Sequence, residues 1–267
     1  MTRRRLRSAQ RGFTLLEAIV VMVVTGIVAG MITMFMVMPI RGYMDAKRRA
    51  EMTDTADLAL RRIGYELRRA VPNSVRLMTD GIEFIPARDG GRYRRDGGVN
   101  VLDGTASGNV TFDVLSPPVV ADDEDYLVIY NTGQAGLDAY ETTPANRRQL
   151  SAAAGATVSY AGTGAIFPVY HSPSQRFQLV PKEGPARFLC TGNTLRRETN
   201  YATAAGFATG TGTQSAVLAR NVACRFDYQP ENARSGLVTL ELRVSRGTGA
   251  ETETVRLLHQ IHVDNLP

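Results

Sequence analysis

One carboxylate, Glu17, stands at the threshold of a long charge-free run. From Ala18 to Ile40 the sequence reads AIVVMVVTGIVAGMITMFMVMPI. An acid near the start of such a helix costs about 2–3 kcal/mol or more as it moves toward a bilayer centre, so its presence is a functional signal. The chemistry it offers is ion pairing in a poorly solvated place. Other reactive side chains are sparse. The three histidines are His171, His259 and His262. The last two, three apart, fall on opposite faces of a strand and do not readily share a metal. His259 lies among Val255, Leu257, Ile261 and Val263 and reads as a core histidine. Cys190 and Cys224 lack the paired spacing of a zinc site. There is no Gly-x-Ser-x-Gly nucleophile turn, and the glycines between Ala202 and Gln214 are not followed by Lys-Ser or Lys-Thr. Asp122, Asp123, Glu124 and Asp125 form an acidic run without the spaced ligands and turn glycine of a calcium loop, so a solvated loop is the reading. This inventory predicts no catalytic residue, no metal and no cofactor.

The elements that must position Glu17 come next. At about 1.5 Å per residue the run from Ala18 to Ile40 reaches roughly 34 Å, enough to cross a hydrocarbon core. Arg3, Arg4, Arg5, Arg7 and Arg11 precede it and the first twelve positions hold no acid, which keeps Met1 cytoplasmic and sends the C-terminus across the membrane. A secretory signal peptide does not fit. The apolar run is too long, and Met38, Pro39, Ile40 and Arg41 follow where a small-x-small cleavage site would be needed. The chain of 267 residues has a net charge of +5, but without those five arginines its basic residues equal its 26 acidic ones. The basicity is therefore local to the N-terminus, and no nucleic-acid partner is expected.

Pro39 predicts a kink or local break between Val37 and Gly42. From Tyr43 to Val71 the pattern is helical again, with Ala46, Ala50, Thr53, Ala56, Leu60, Ile63, Leu67 and Val71 as the apolar stripe and Pro72-Asn73-Ser74 as the stop. After Ser74 the period changes to two. Val75–Met78 and Ile82–Ile85 read as a hairpin turning at Asp80-Gly81. Arg88–Gly108 reads as a loop. Strands are expected at Asn109–Leu115, Tyr126–Tyr130, Arg176–Val180, Ala186–Thr191 and Thr194–Thr199. The tail is the clearest β region: Val222, Cys224, Phe226 and Tyr228 share one face, Val238, Leu240, Leu242 and Val244 another, and Val255 to Val263 a third. Two cysteines near strands fit one disulfide between Cys190 and Cys224 in an oxidising compartment, or two buried free thiols. The fold class is α+β: a long N-terminal helix, membrane-spanning then amphipathic, packed on a β-rich antiparallel head. The predicted divisions are 1–12, 13–40 (membrane helix), 41–72 (amphipathic helix) and 73–267 (head).

Arg11-Gly12-Phe13-Thr14-Leu15-Leu16-Glu17 resembles the prepilin peptidase site of type IV pilins and type II secretion pseudopilins. The resemblance implies a cleaved basic leader over residues 1–12, a cut between Gly12 and Phe13, N-methylation of Phe13, and Glu17 as the assembly residue. The new amine at Phe13 and the carboxylate of Glu17, four residues on, would share a helical face. A neighbour's amine would neutralise the buried acid. Implied partners are prepilin peptidase, other major and minor pilins through the N-terminal helix, and an inner-membrane assembly platform. The head would be periplasmic before assembly and part of a pilus or pseudopilus afterwards. A finer resemblance runs through Ala70-Val71-Pro72-Asn73-Ser74-Val75-Arg76, Cys224-Arg225-Phe226-Asp227-Tyr228, Ser235-Gly236-Leu237-Val238-Thr239-Leu240 and His259 to Pro267. These look like the O-type minor pilins of the mannose-sensitive haemagglutinin (MSHA) pilus. The J-type pseudopilins of type II secretion share the architecture, and a ligand- or DNA-binding minor pilin is the remaining alternative.

Intact-mass measurement of membrane-extracted protein tests the processing directly. The mature chain should begin at Phe13 and carry one added methyl group. A mass retaining residues 1–12 in cells with active prepilin peptidase would remove the resemblance.

Overall fold

The structure, a computed structural model, describes residues 12–102, 104, 109–115, 117–162, 166–201, 207, 212–232, 234–247 and 252–267. The leader arginines and most of the Ala202–Gln214 stretch lie outside the described residues. The chain divides into two compact units, Met1–Glu51 and Met52–Pro267. One helix, α1 (Leu15–Arg68), runs through the boundary between them. It stays helical through Val37–Gly42, so the local break that Pro39 could have introduced is absent. A proline removes one hydrogen bond, whereas long helical flanks on both sides hold the remaining ladder.

In the first unit α1 is exposed along almost its whole length. Every large apolar side chain from Ile19 to Ile40 is bare, as are Tyr43 and Met44. The amphipathic stripe begins later than its spacing suggested. Ala46, Ala50 and Thr53 are exposed, and the buried face comprises Met52, Ala56, Ala59, Leu60, Ile63, Gly64, Glu66 and Leu67. Small residues at helical spacing do not define a core face by themselves. The sheets that cover the helix do.

The second unit is a β-rich antiparallel head with three sheets. The five-stranded sheet has the order β1 (Arg76–Met78), β2 (Gly81–Phe84), β9 (Ala186–Thr191), β10 (Thr194–Thr199), β11 (Gln214–Arg220). The six-stranded sheet runs β3 (Asp89–Arg92), β8 (Arg176–Val180), β5 (Tyr126–Val128), β6 (Arg147–Ala154), β7 (Thr157–Ala161), β4 (Asn109–Asp113). The third sheet is a meander of β12 (Val222–Asn232), β13 (Ser235–Arg246) and β14 (Glu253–Asp264). The first hairpin pairs Met78 with Gly81, so Thr79-Asp80 forms its two-residue turn. Gly81 needs its lack of a side chain, because a Cβ there would stand 2.0 Å from the Phe188 carbonyl oxygen.

One core joins α1 to the five- and three-stranded sheets through Leu60, Ile63, Leu67, Phe84, Phe188 and Leu240. Gly64 lies where α1 meets β14, since a Cβ there would touch His259 Nε2 at 3.4 Å and Ile261 Cδ1 at 3.5 Å. Buried Glu66 is held by Arg62 at 2.5 Å and by Arg197 of β10 at 2.7 Å. A second core fills the six-stranded sheet around Tyr93, Phe112, Tyr160 and Phe177.

Several strands were not expected. β3 lies inside the presumed Arg88–Gly108 loop, carried by its pairing with β8 despite Gly90 and Gly91. β6 opens on two arginines. Arg147 is nonetheless buried, its guanidinium bonded to the Ala139 and Glu141 carbonyls and 3.9 Å from the centre of the Phe207 ring. Burial pushes its pKa down to about 10.

The segments at the two ends of the head meet in one hydrogen-bonded junction. Asn73, in the left-handed region at φ 57°, ends the helical connection. Its side-chain amide donates to Asn131 O at 2.8 Å and to Asn265 O at 3.0 Å. Asn131 Nδ2 donates to Pro72 O at 2.6 Å, and Asn131 Oδ1 accepts from the Ala139 amide at 2.8 Å. Asn265 Nδ2 donates to Tyr228 Oη at 3.1 Å, and Tyr140 Oη donates to Ser74 O at 2.8 Å. Asn131, Asn265 and Ser74 are buried, so every lost partner leaves a desolvated polar group.

Asn131→Ala should therefore destabilise the head by about 1–3 kcal/mol or more, because it strands the Ala139 amide and the Pro72 carbonyl together. Thermal melting of the detergent-solubilised chain should show a drop of several degrees. Lys47→Ala, on the exposed helix, should leave the transition in place.

Candidate processing and assembly site

Helix α1 begins at Leu15, and Thr14 caps it. Thr14 Oγ1 accepts the Glu17 amide at 3.3 Å, and the Thr14 carbonyl accepts the Ala18 amide at 3.2 Å. Thr14 is thus the residue before the first helical turn, and Glu17 occupies the third helical position. Thr-x-x-Glu is the order of a capping box. The helix N-terminus carries partial positive charge, which favours a carboxylate in that turn.

The cap alters one expectation. Phe13 lies outside the helix, so Phe13 and Glu17 do not share a helical face as a continuous helix would have required. An amine created at Phe13 would sit one residue before the cap, free to reach outward. Phe13 is 71% exposed, and Gly12 and Glu17 are exposed as well. A Cβ built on Gly12 would meet nothing within 4 Å, and the residue does not adopt the left-handed backbone that favours glycine. Among the described residues nothing calls for a glycine here. Among the described residues no cation pairs with the Glu17 carboxylate.

The helix beyond Glu17 supplies a surface rather than a pocket. It is apolar and exposed, so by length and composition it can cross a membrane. A helix apolar on all sides is covered by lipid or by protein. Gly26 and Gly30, with open space around both, stand four apart in this run. That spacing lets a second helix approach closely. The signal lies in Gly26-Ile27-Val28-Ala29-Gly30, inside the charge-free run.

Residues 7–33 match the family model described as the prokaryotic N-terminal methylation motif. This is a prepilin-type N-terminus. The match supports a type IV pilin-like protein, and it implies processing by prepilin peptidase and pilin assembly. The long apolar helix and the antiparallel β-rich head are consistent with a pilin-like fold, and the helix fits a membrane anchor. No curated protein and no solved structure matches the chain.

The remaining candidate residues lie in the head. Cys190 on β9 and Cys224 on β12 are bonded, with Cα atoms 6.0 Å apart, and tie the five-stranded sheet to the three-stranded one. His259 is half-buried against α1 and His262 is exposed on the opposite face of β14. The acidic run is not uniformly solvated. Asp125 is fully buried and pairs with Arg88 at 2.9 Å. Its carboxylate also accepts the Asp122 and Lys182 amides at 3.0 Å each. Burial raises its pKa against the lowering effect of those amides and of Arg88. Its role is to fix a turn beside β5. Among the described residues no group of three or more His, Cys, Asp or Glu could hold a metal ion.

Replacing both cysteines by alanine should lower stability by about 3–4 kcal/mol in the chain-entropy model, since the bond closes a loop with a sequence separation of 34. Denaturant titration of the oxidised protein and the double variant measures it. Thiol labelling of exported protein should find neither cysteine free.

Proposed function

We propose that the chain is a minor pilin of an MSHA-type type IV pilus: a structural, non-catalytic subunit cut between Gly12 and Phe13, methylated at Phe13, and assembled through α1. The observation that carries the reading is Glu17. Its carboxylate begins a charge-free helix, is exposed, and has no cation among the described residues. In a bundle of such helices it becomes buried, and a buried carboxylate needs a counter-charge. The freed amine of an adjoining subunit is a cation created at the matching height by the same cleavage. Before assembly the N-terminus faces the cytoplasm and the head the periplasm, following the arginine-rich leader. The MSHA-type assignment is supported by the way its motif segments come together. Asn73, Tyr228 and Asn265 come from three of them and meet in the buried junction of the head.

Glu17→Ala tests this. Leader cleavage and head folding should persist, and membrane insertion should not suffer, because an apolar residue suits the bilayer better. Recruitment should fail. Leaving one member of a buried pair alone costs about 3–5 kcal/mol, on the order of a hundredfold or more in an assembly constant. Copurification with other minor pilins and pilus counts in a complemented deletion strain read it out. Full complementation would mean that the subunit enters through its head. A deletion that blocks protein secretion and leaves pili intact would assign it to a secretion pseudopilus instead.

A further inference from the structure

Among the described residues, seven that are not glycine lie in the left-handed backbone region. Four of them are asparagine, a side chain that tolerates this region. Tyr130, at φ 59°, is the one aromatic among them. A bulky residue there is an outlier, kept only where its surroundings over-determine it. Its neighbours supply that constraint. Ile129 and Asn131 are both buried. The Ile129 amide donates to Asn146 O at 3.0 Å, and Asn131 is fixed by its bonds to Pro72 and Ala139. Asparagine or glycine would satisfy such a backbone at less cost, so the tyrosine ring needs its own reason. Part of it packs on the second core, and Tyr130 also lines an open cleft of about 460 Å³.

Tyr170, 57% exposed, lines the same cleft. Its ring centre lies 6.5 Å from that of Tyr130, with the planes tilted by 45°. Thr132 and Gln134 join them beside small and aliphatic residues, and no described lining residue is charged. Among the described residues no hydrogen bond engages the two tyrosine hydroxyls or the Gln134 side chain. Thr132 Oγ1 is covered and has no partner either. The walls are nonetheless fixed. The Thr132 amide donates to Leu137 O at 3.2 Å, the Leu137 amide to Gln134 O at 2.8 Å, and the Ala145 amide to Gly136 O at 3.0 Å. Beyond Tyr170, buried Ser172 is held by its amide on Tyr93 Oη at 3.1 Å. A preformed cleft with apolar surface and a few unengaged polar groups has the make-up of a small-ligand site.

We propose that this cleft binds a neutral saccharide, either free or at the end of a longer glycan. A sugar ring has an apolar C–H face that packs on tyrosine rings. Its rim of hydroxyls both donates and accepts, as do tyrosine hydroxyls and a glutamine amide. A lining without charge disfavours phosphates, nucleic acids and acidic sugars, which call for cationic partners. An extended proline-rich peptide also packs on aromatic rings. Its prolines carry no N–H, however, so the Gln134 carbonyl and the tyrosine oxygens would find few donors. The cleft lies wholly within the head, and the inference is therefore independent of assembly through α1.

The test uses the full-length chain, purified in a detergent without a sugar headgroup, on an array of neutral glycans, acidic glycans and proline-rich peptides. At least one neutral glycan should retain the chain and release it to the same saccharide in solution. Tyr170→Ala and Gln134→Ala should each weaken that binding about tenfold or more. Both variants should melt as the parent does, because both side chains are exposed. A second measurement needs no variant. Bound saccharide should shield Tyr170 from nitration by tetranitromethane, read by mass spectrometry, while Tyr65, 56% exposed on α1, reacts as before. Retention by no neutral glycan, or only by acidic glycans or by the peptides, overturns the proposal. So does glycan binding that both variants leave at parental strength, or that leaves Tyr170 open to nitration.

Discussion

Between Ile19 and Ile40 the chain holds more large apolar side chains bare than its head can compensate. Keeping each one dry is worth about 1.5–3 kcal/mol, so the helix as a whole represents tens of kcal/mol. A folded domain is typically stable by about 5–15 kcal/mol. The helix therefore does not stay bare in water, whatever the head does, and needs a cover of lipid or of other apolar helices; the small residues Gly26 and Gly30 are where another helix can come close. The head has its own cores and its own disulfide.

The same constraint makes one carboxylate informative. In lipid Glu17 is a cost, softened by the helix N-terminus and by its place at the edge of the apolar run. In a bundle the cost is offset only by a cation at the same depth. The Thr14 cap matters here because it ends the helix before Phe13. An amine at Phe13 is then free of the helix axis and can turn toward a neighbouring chain rather than back along its own.

Legibility in the sequence followed local contrast. Glu17 stood out against an uncharged background, and β12, β13 and β14 alternate cleanly because each has one face on the core and one toward water. Where the deciding partner is distant, the sequence says little. Nothing near Asp125 distinguishes it from Asp122, Asp123 and Glu124, yet Asp125 alone is buried, because Arg88 and the Lys182 amide close on it. Ala46, Ala50 and Thr53 keep the helical period of a core stripe but are exposed. β6 opens on two arginines, and only distant partners, the carbonyls of Ala139 and Glu141 and the Phe207 ring, account for the burial of Arg147.

Apolar contacts between helices are non-directional, so a bundle held by them alone could slide by a residue at little cost. A buried charge pair is different, because displacing it strands both charges in a medium that solvates neither. One such pair per subunit suffices to fix axial register, and it leaves rotation about the helix comparatively free.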